Sequence, residues 1–133
     1  MGISDEFGKF GAKLKNVNWS VSAENTDGEL VVSLWKHFFE PPEDGKIRYV
    51  DSVTRWSGHG NKEFKERLAK AYENQQVVRA VIARTSDENA VRRGEDASKL
   101  KNSFGAKLDW VGVVSHWDGD SFIIEFEREA HNA

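Results

Sequence analysis

Trp56–Arg84, WSGHGNKEFKERLAKAYENQQVVRAVIAR, holds the transition on which the fold turns. It opens as a glycine-rich loop. In KEFKERLAKAYENQ, Phe64, Leu68, Ala71 and Tyr72 fall at i, i+4, i+7 and i+8, one apolar stripe with charges elsewhere, which predicts an amphipathic helix. Asn61 is placed to cap its start. VVRAVIAR (Val77–Arg84) then forms a short, nearly continuous apolar run, the pattern of a strand in the middle of a sheet.

Working outward, both flanks supply strands. After a polar lead-in whose first nine residues are expected to be flexible, VNWSVSA (Val17–Ala23) alternates as a strand. ENTDG turns the chain, with Asp27-Gly28 as a favoured hairpin dipeptide. ELVVSLWKHFF follows as a long strand, apolar on both faces through Val31, Val32, Leu34 and Trp35, which suggests a covered position. Pro41-Pro42 break it, and Lys46–Trp56 reads as a third strand. Beyond the helix and its strand, residues 86–103 have no sustained period and read as a long polar loop with room for a short helix. DWVGVVSHW, the turn DGD and SFIIEFER then make a final hairpin, with Phe122, Ile124 and Phe126 alternating with Ile123, Glu125 and Glu127. The expected fold is α+β: a mixed or antiparallel sheet of about six strands with one main helix packed on a face, in a single domain over residues 1–133.

FGAKL occurs twice, at Phe10–Leu14 and Phe104–Leu108. From Trp19 to Asp27 is eight positions, and from Trp110 to Asp118 is eight again. Both turns read Asp-Gly-acid, Asp27-Gly28-Glu29 and Asp118-Gly119-Asp120, and both lead into apolar strands. Two copies do not make a solenoid. They describe one hairpin built twice, with the Phe and Leu of each lead-in expected under the sheet.

The chain of 133 residues is long enough to bury a core without staples, and it has no cysteine, which removes disulfides and thiolate metal sites. MGISDEFGKFG carries charges where a signal peptide needs an apolar stretch, and no run approaches membrane-spanning length. A cytoplasmic protein without membrane contact is expected. The net charge of −3 is unevenly spread. Residues 62–108 hold eleven Lys/Arg against seven Asp/Glu, whereas residues 109–133 hold one against six. Phosphate binding needs a local positive field rather than a positive total, so the middle segment keeps nucleic acid in play.

Little argues for catalysis. His37, His59, His116 and His131 have no metal-ligand spacing, and there is no nucleophile elbow, phosphate loop or dinucleotide fingerprint. No enzyme activity, metal or cofactor is expected. Tryptophan stands out instead: Trp19, Trp35, Trp56, Trp110 and Trp117 lie in or beside predicted strands. Flat aromatic faces interleaved with Arg, His, Asn and Lys are suited to stacking on bases. RWSGHGNK joins a strand end to a helix N-terminus, with glycines that let backbone approach a ligand. AVRRGEDASKLKN adds cations that can reach phosphates. The DNA-contact candidates are therefore Trp35, Arg55, Trp56, Ser57, Gly58, His59, Asn61, Lys62, Arg84, Arg92, Arg93, Lys99, Lys101 and Trp117.

LKNVNWSVSAENTDGELVVSLW, WSGHGNKEFKERLAKAY and VVRAVIAR together resemble the N-terminal modified-DNA-recognition (NEco) domain of McrA-like HNH endonucleases. The likeness lies in the Leu-Lys lead-in, the Asp-Gly turn, the apolar strand ending Ser-x-Trp, and the Trp-x-Gly loop running into Asn-Lys-acid-aromatic. It covers residues 13–35 and 56–84, with Lys46–Trp56 as an inserted strand, and fades over the long loop and the last hairpin. Trp56, Gly58, Asn61 and Lys62 sit on the shared pattern. The resemblance implies a non-enzymatic module that binds duplex DNA carrying 5-methyl- or 5-hydroxymethylcytosine, linked to restriction or defence, with a nuclease or other effector subunit as partner. The alternative expectation is a small phage- or plasmid-type regulator acting through protein–protein contacts, with its acidic hairpin on a basic partner. A small hydrolase ranks last.

Overall fold

Alternation along the strands decides where each side chain goes, and in the computed structural model, which describes residues 2–16, 20–95 and 100–128, it builds two cores on opposite faces of one sheet. The elements in order are α1 (Ile3–Gly8), β1 (Ser22–Glu24), β2 (Leu30–Trp35), β3 (Lys46–Ser52), α2 (His59–Asn74), β4 (Val78–Thr85), α3 (Glu88–Arg92), β5 (Asn102–Ala106), β6 (Trp110–Trp117) and β7 (Ser121–Arg128). Single 3-10 turns, Lys36–Phe38 and Val53–Arg55, close β2 and β3. The fold is α+β, as expected, with a mixed sheet and one main helix.

The strand order is β1-β2-β4-β6-β7-β3. β2 and β4 are parallel, because α2 lies between them in the chain and returns it to the starting end of the sheet. All the other pairings are antiparallel. The far edge of β4 is shared: β5 pairs with Val81–Thr85, and β6 meets it only at Val78↔Gly112. β5 and β6 therefore follow one another along a single partner, interrupted at Lys107–Asp109, where the Lys107 N–H donates to the Ala80 carbonyl at 3.0 Å.

Even-numbered β2 and β4 residues (Leu30, Val32, Leu34, Val78, Ala80, Ile82) face α2, where Phe64, Leu68 and Ala71 meet them. Val31 and Val81 face the other way, into a smaller core with Phe7, Ala12, Leu14 and Ala23. Strands covered on both sides explain the unbroken apolar runs of their sequences.

Several expectations change. Residues 3–8, expected to be flexible, form a helix whose Phe7 is fully buried. The sheet has seven strands, since the loop expected over residues 86–103 ends in β5, while the short helix it had room for is α3, capped by the Asp87 carboxylate. The second strand stops at Trp35 and the third at Ser52, each passing into its 3-10 turn. The helix begins at His59, so Asn61 lies inside its first turn rather than capping it. Tyr72 is exposed at 39%, leaving Phe64, Leu68 and Ala71 as the buried stripe. Leu14 is buried beneath the sheet, but Leu108 is 53% exposed. Of the predicted first strand, Val17–Trp19 lie outside the described residues.

Candidate functional site

Parallel strands present their carboxyl ends together, and a helix that returns the chain between them starts at that same end. Here β2 and β4 end at Trp35 and Thr85, and α2 starts at His59. A cavity of about 720 Å³ lies at this end. Its wall takes Ser33, Leu34 and Trp35 from β2, Tyr49 and Asp51 from β3, and Arg55 through Gly60 from the loop entering α2. Phe64 and Phe122 reach it from the main core, Val91, Gly94 and Glu95 from the segment around α3, and Leu100, Asn102 and Phe104 from the approach to and body of β5.

A polar network fixes one side of this wall. Tyr49 and Asp51 are two apart on β3 and share a face, and the 3-10 turn brings Arg55 back over them. The Tyr49 hydroxyl donates to Asp51 Oδ2 at 3.1 Å. Arg55 grips the same carboxylate with two bonds, Nε to Oδ1 at 2.9 Å and Nη2 to Oδ2 at 2.8 Å. The Ser52 N–H donates to Oδ1 at 2.7 Å, completing four bonds to Asp51. Arg55 Nη1 then donates to the Val91 carbonyl at 2.8 Å, tying the turn to α3. Its guanidinium also lies 4.7 Å from the centre of the Phe38 ring, a cation–π arrangement. Burial pushes the Tyr49 phenol well above its ordinary value, and the Asp51 charge adds to this, so the group stays a proton donor.

The segment after α3 packs tightly on this loop. Gly94 has φ +76°, and a Cβ there would run into the Arg55 carbonyl, so only glycine permits the approach. On the helix side, Asn61 is buried, and its amide donates to the carbonyls of Val53, at 2.6 Å, and Trp56. Asn61 thus clamps the loop onto α2. Trp56 is half-buried, its ring centre 6.1 Å from that of Phe64. Trp35 is also half-buried, with His37 beyond it at 6.2 Å. Burial holds the His37 imidazole below its usual range.

The predicted residues divide clearly. Trp35, Arg55, Trp56, Ser57, Gly58 and His59 all line the cavity. Ser57 and Gly58 also border a shallower depression shared with Asn61, Lys62 and Lys65, with Lys62 and Lys65 exposed. Arg92 and Arg93 are exposed, between lining residues Val91 and Gly94; Arg92 lies 5.3 Å from the Phe38 ring centre, and Arg93 pairs with Glu95. Lys101 is exposed between lining residues Leu100 and Asn102, and Arg84 is exposed on β4 opposite Ser103. Trp117 is not in the wall: it ends β6 opposite Phe122 and packs half-buried against the main core. Lys99 and Trp19 lie outside the described residues.

Sequence reasoning missed Tyr49, Asp51, Asn102 and Phe104. The i, i+2 spacing of Tyr49 and Asp51 and the i, i+4 spacing of Asp51 and Arg55 were visible, but nothing local says that a strand will turn back at Val53. On the other side of that turn, Asp120 accepts from the Ser52 and Thr54 hydroxyls, which hold its carboxyl below the usual range. The Asp118–Asp120 turn therefore places negative charge beside Val53–Arg55. Among the described residues, no group of three or more His, Asp or Glu side chains is arranged to hold a metal, and no helix is long and apolar enough to cross a membrane. Compared with family models, curated proteins and solved structures, the chain matches none of them.

Proposed function

We propose that this chain is a DNA-binding module that reads cytosine modified at its 5-position in duplex DNA. The observation that carries the reading is the cavity at the carboxyl ends of β2 and β4, which has Trp35 and Trp56 in its wall and exposed cations next to its lining residues in the chain. Arg92, Arg93 and Lys101 are exposed and adjoin lining residues in the chain, and Lys62 and Lys65 border the neighbouring depression that shares Ser57 and Gly58 with the cavity. A volume of about 720 Å³ falls within the range of roughly 300–1,000 Å³ typical of sites for small organic groups. Cations position a phosphate backbone without reading sequence, and a walled aromatic site reads a base. The resemblance of residues 13–35 and 56–84 to the modified-DNA-recognition domain supports the same reading and points to the methyl or hydroxymethyl mark.

The test is a titration against unmodified, 5-methyl- and 5-hydroxymethylcytosine duplexes at two salt concentrations. Binding should weaken steeply with salt, because phosphate contacts release counterions. The modified duplexes should bind more tightly than the unmodified one. The double substitution Arg92→Ala, Arg93→Ala should weaken all three alike and flatten the salt slope by about two. Absence of binding to every duplex at low salt would sink the proposal.

A further inference from the structure

We infer that two copies of this chain pair through the open half of the sheet, β6, β7 and β3, about a two-fold axis running between β7 and β3. This goes beyond the DNA-binding reading and does not depend on it. The strand residues of the small core come from β1, β2, β4 and β5, so that core covers only part of its face of the sheet. The same face continues across β6, β7 and β3. Ile47, Tyr49, Ile124 and Phe126 point into the main core, so the residues between them on β3 and β7 point away from it. Val50 is 38% exposed there, Ile123 is half-buried, and Lys46, Arg48 and Glu127 are exposed. Val111 and Val113 on β6 extend the surface beside Glu127 and Glu125, and both are half-buried.

The partner is read from the rows of the ladder. Across β3 and β7 they are Lys46↔Glu127, Arg48↔Glu125, Val50↔Ile123 and Ser52↔Ser121. Each row holds complementary groups: base with acid twice, apolar with apolar, serine with serine. A two-fold axis parallel to the strands lays β7 of one copy on β3 of the other and keeps each row level with itself. Glu127 then meets Lys46 of the second copy, Glu125 meets Arg48, and Ile123 meets Val50. Sheets packed face to face keep their strands within about 30° of one another, so the central rows stay matched. A partner of one charge sign would meet like charge on one of the two strands, whereas a second copy meets none. These charges are not used up within the chain. None of the ion pairs among the described residues involves Lys46 or Glu127, and the Arg48–Glu125 contact at 3.3 Å leaves the Arg48 side chain 52% exposed. The seven residues of β3 span roughly 23 Å and the three strands roughly 10 Å, which makes a small interface and a weak dimer.

Sedimentation equilibrium of the full chain at low salt, from about 10 μM to about 1 mM, tests this. The average mass should climb from the 15.1 kDa of one chain towards twice that, with half of the chains paired at about 100 μM. Arg48→Glu makes its row wholly acidic and Glu125→Arg makes it wholly basic, and each alone should weaken pairing about tenfold or more. Mixed in equal amounts, the two variants should pair about as tightly as wild type, because an acidic row then faces a basic one. Neither variant keeps the internal Arg48–Glu125 contact, so recovery in the mixture comes from contacts between copies. Lys46→Glu and Glu127→Lys give the same three measurements one row away, should circular dichroism show that either first variant does not fold. Wild type that stays monomeric up to about 1 mM would overturn the proposal. So would single variants that pair as tightly as wild type, or a mixture that stays monomeric.

Discussion

Phe10–Leu14 and Phe104–Leu108 carry the same five residues and feed the same small core, yet the chain passes through them differently. In the first copy, the Phe10 and Gly11 N–H groups bond back to the carbonyls of Phe7 and Gly8, and the chain turns out of α1. In the second copy, Phe104–Ala106 is ladder, paired with Val81–Ala83. Each is anchored by a buried polar side chain. The Asn25 amide donates to the Phe10 carbonyl at 3.0 Å, and the Glu6 carboxylate accepts from the Ala106 N–H at 2.9 Å. Arg79 on β4 touches both, with its guanidinium 5.1 Å from the Phe10 ring centre and Nη2 donating to the Leu108 carbonyl at 2.6 Å. Identical letters supply the same apolar pair, Phe and Ala, to one face. Neighbouring hydrogen bonds decide whether the backbone is turn or strand.

The largest difference should appear at the last letter. Leu14 is 5% exposed within the small core, whereas Leu108 is 53% exposed on the turn into β6. Leu14→Ala should cost about 2–4 kcal/mol through lost burial and a residual cavity, and Leu108→Ala less than about 0.5 kcal/mol. Chemical denaturation of both variants measures this directly. Equal losses would mean that the two copies are equivalent after all.

The same contrast shows how far the sequence could be read. Both hairpins were legible, because Asp-Gly turns and alternating apolar residues are local signals. So was α2, since three of its four stripe residues are buried. α1 was not: six residues, ISDEFG, are too few to establish a period, and the helix is held by Phe7 packing and by Glu6 reaching residue 106. β5 was not either. NSFGA has one large apolar residue and becomes a strand because β4 offers it an open edge. At the site, glycines and a Trp marked the 56–61 loop. Arg55 stood among the candidates from its sequence, but its pair with Asp51 was not legible, since only the turn at Val53–Arg55 creates it.

The next largest effect tests the tie between the copies. Glu6 is 4% exposed and lies on α1, four residues before the first copy, while its carboxylate holds the second. Glu6→Ala would strand the Ala106 N–H and should cost about 1–3 kcal/mol; Glu6→Gln, which keeps an acceptor, should cost less. The Ala106 N–H, and then Lys9, hold the Glu6 carboxyl below its ordinary value. With the folded pKa below the unfolded one, this stabilisation is complete above the unfolded value and is lost as pH falls through the folded one. His37, lowered by burial, also disfavours the fold in acid, but over the higher imidazole range. The difference between wild type and Glu6→Gln in urea midpoint should therefore shrink in the carboxylate range specifically. A constant difference from neutral pH into acid would show that Glu6 contributes no charge-dependent tie.

The smallest effect is the most diagnostic, because one substitution should change sign between two identical pentamers. Gly11 has φ +76°, and a Cβ there would also touch the Thr26 hydroxyl at 3.4 Å. An L side chain in that left-handed conformation is strained, so Gly11→Ala should destabilise by about 1–2 kcal/mol. Gly105 lies in β5 opposite Ile82, its φ is not in the positive range, and nothing stands within 4 Å of its missing Cβ. There, alanine mainly restricts the unfolded chain, and Gly105→Ala should be neutral or stabilising by up to about 1 kcal/mol. Thermal melts of the two single variants and the double variant suffice. The sites share no hydrogen bond, so the double variant should equal the sum of the singles. Destabilisation of similar size at both positions would mean that the second copy turns as the first does, and that the ladder between β4 and β5 is not what holds it.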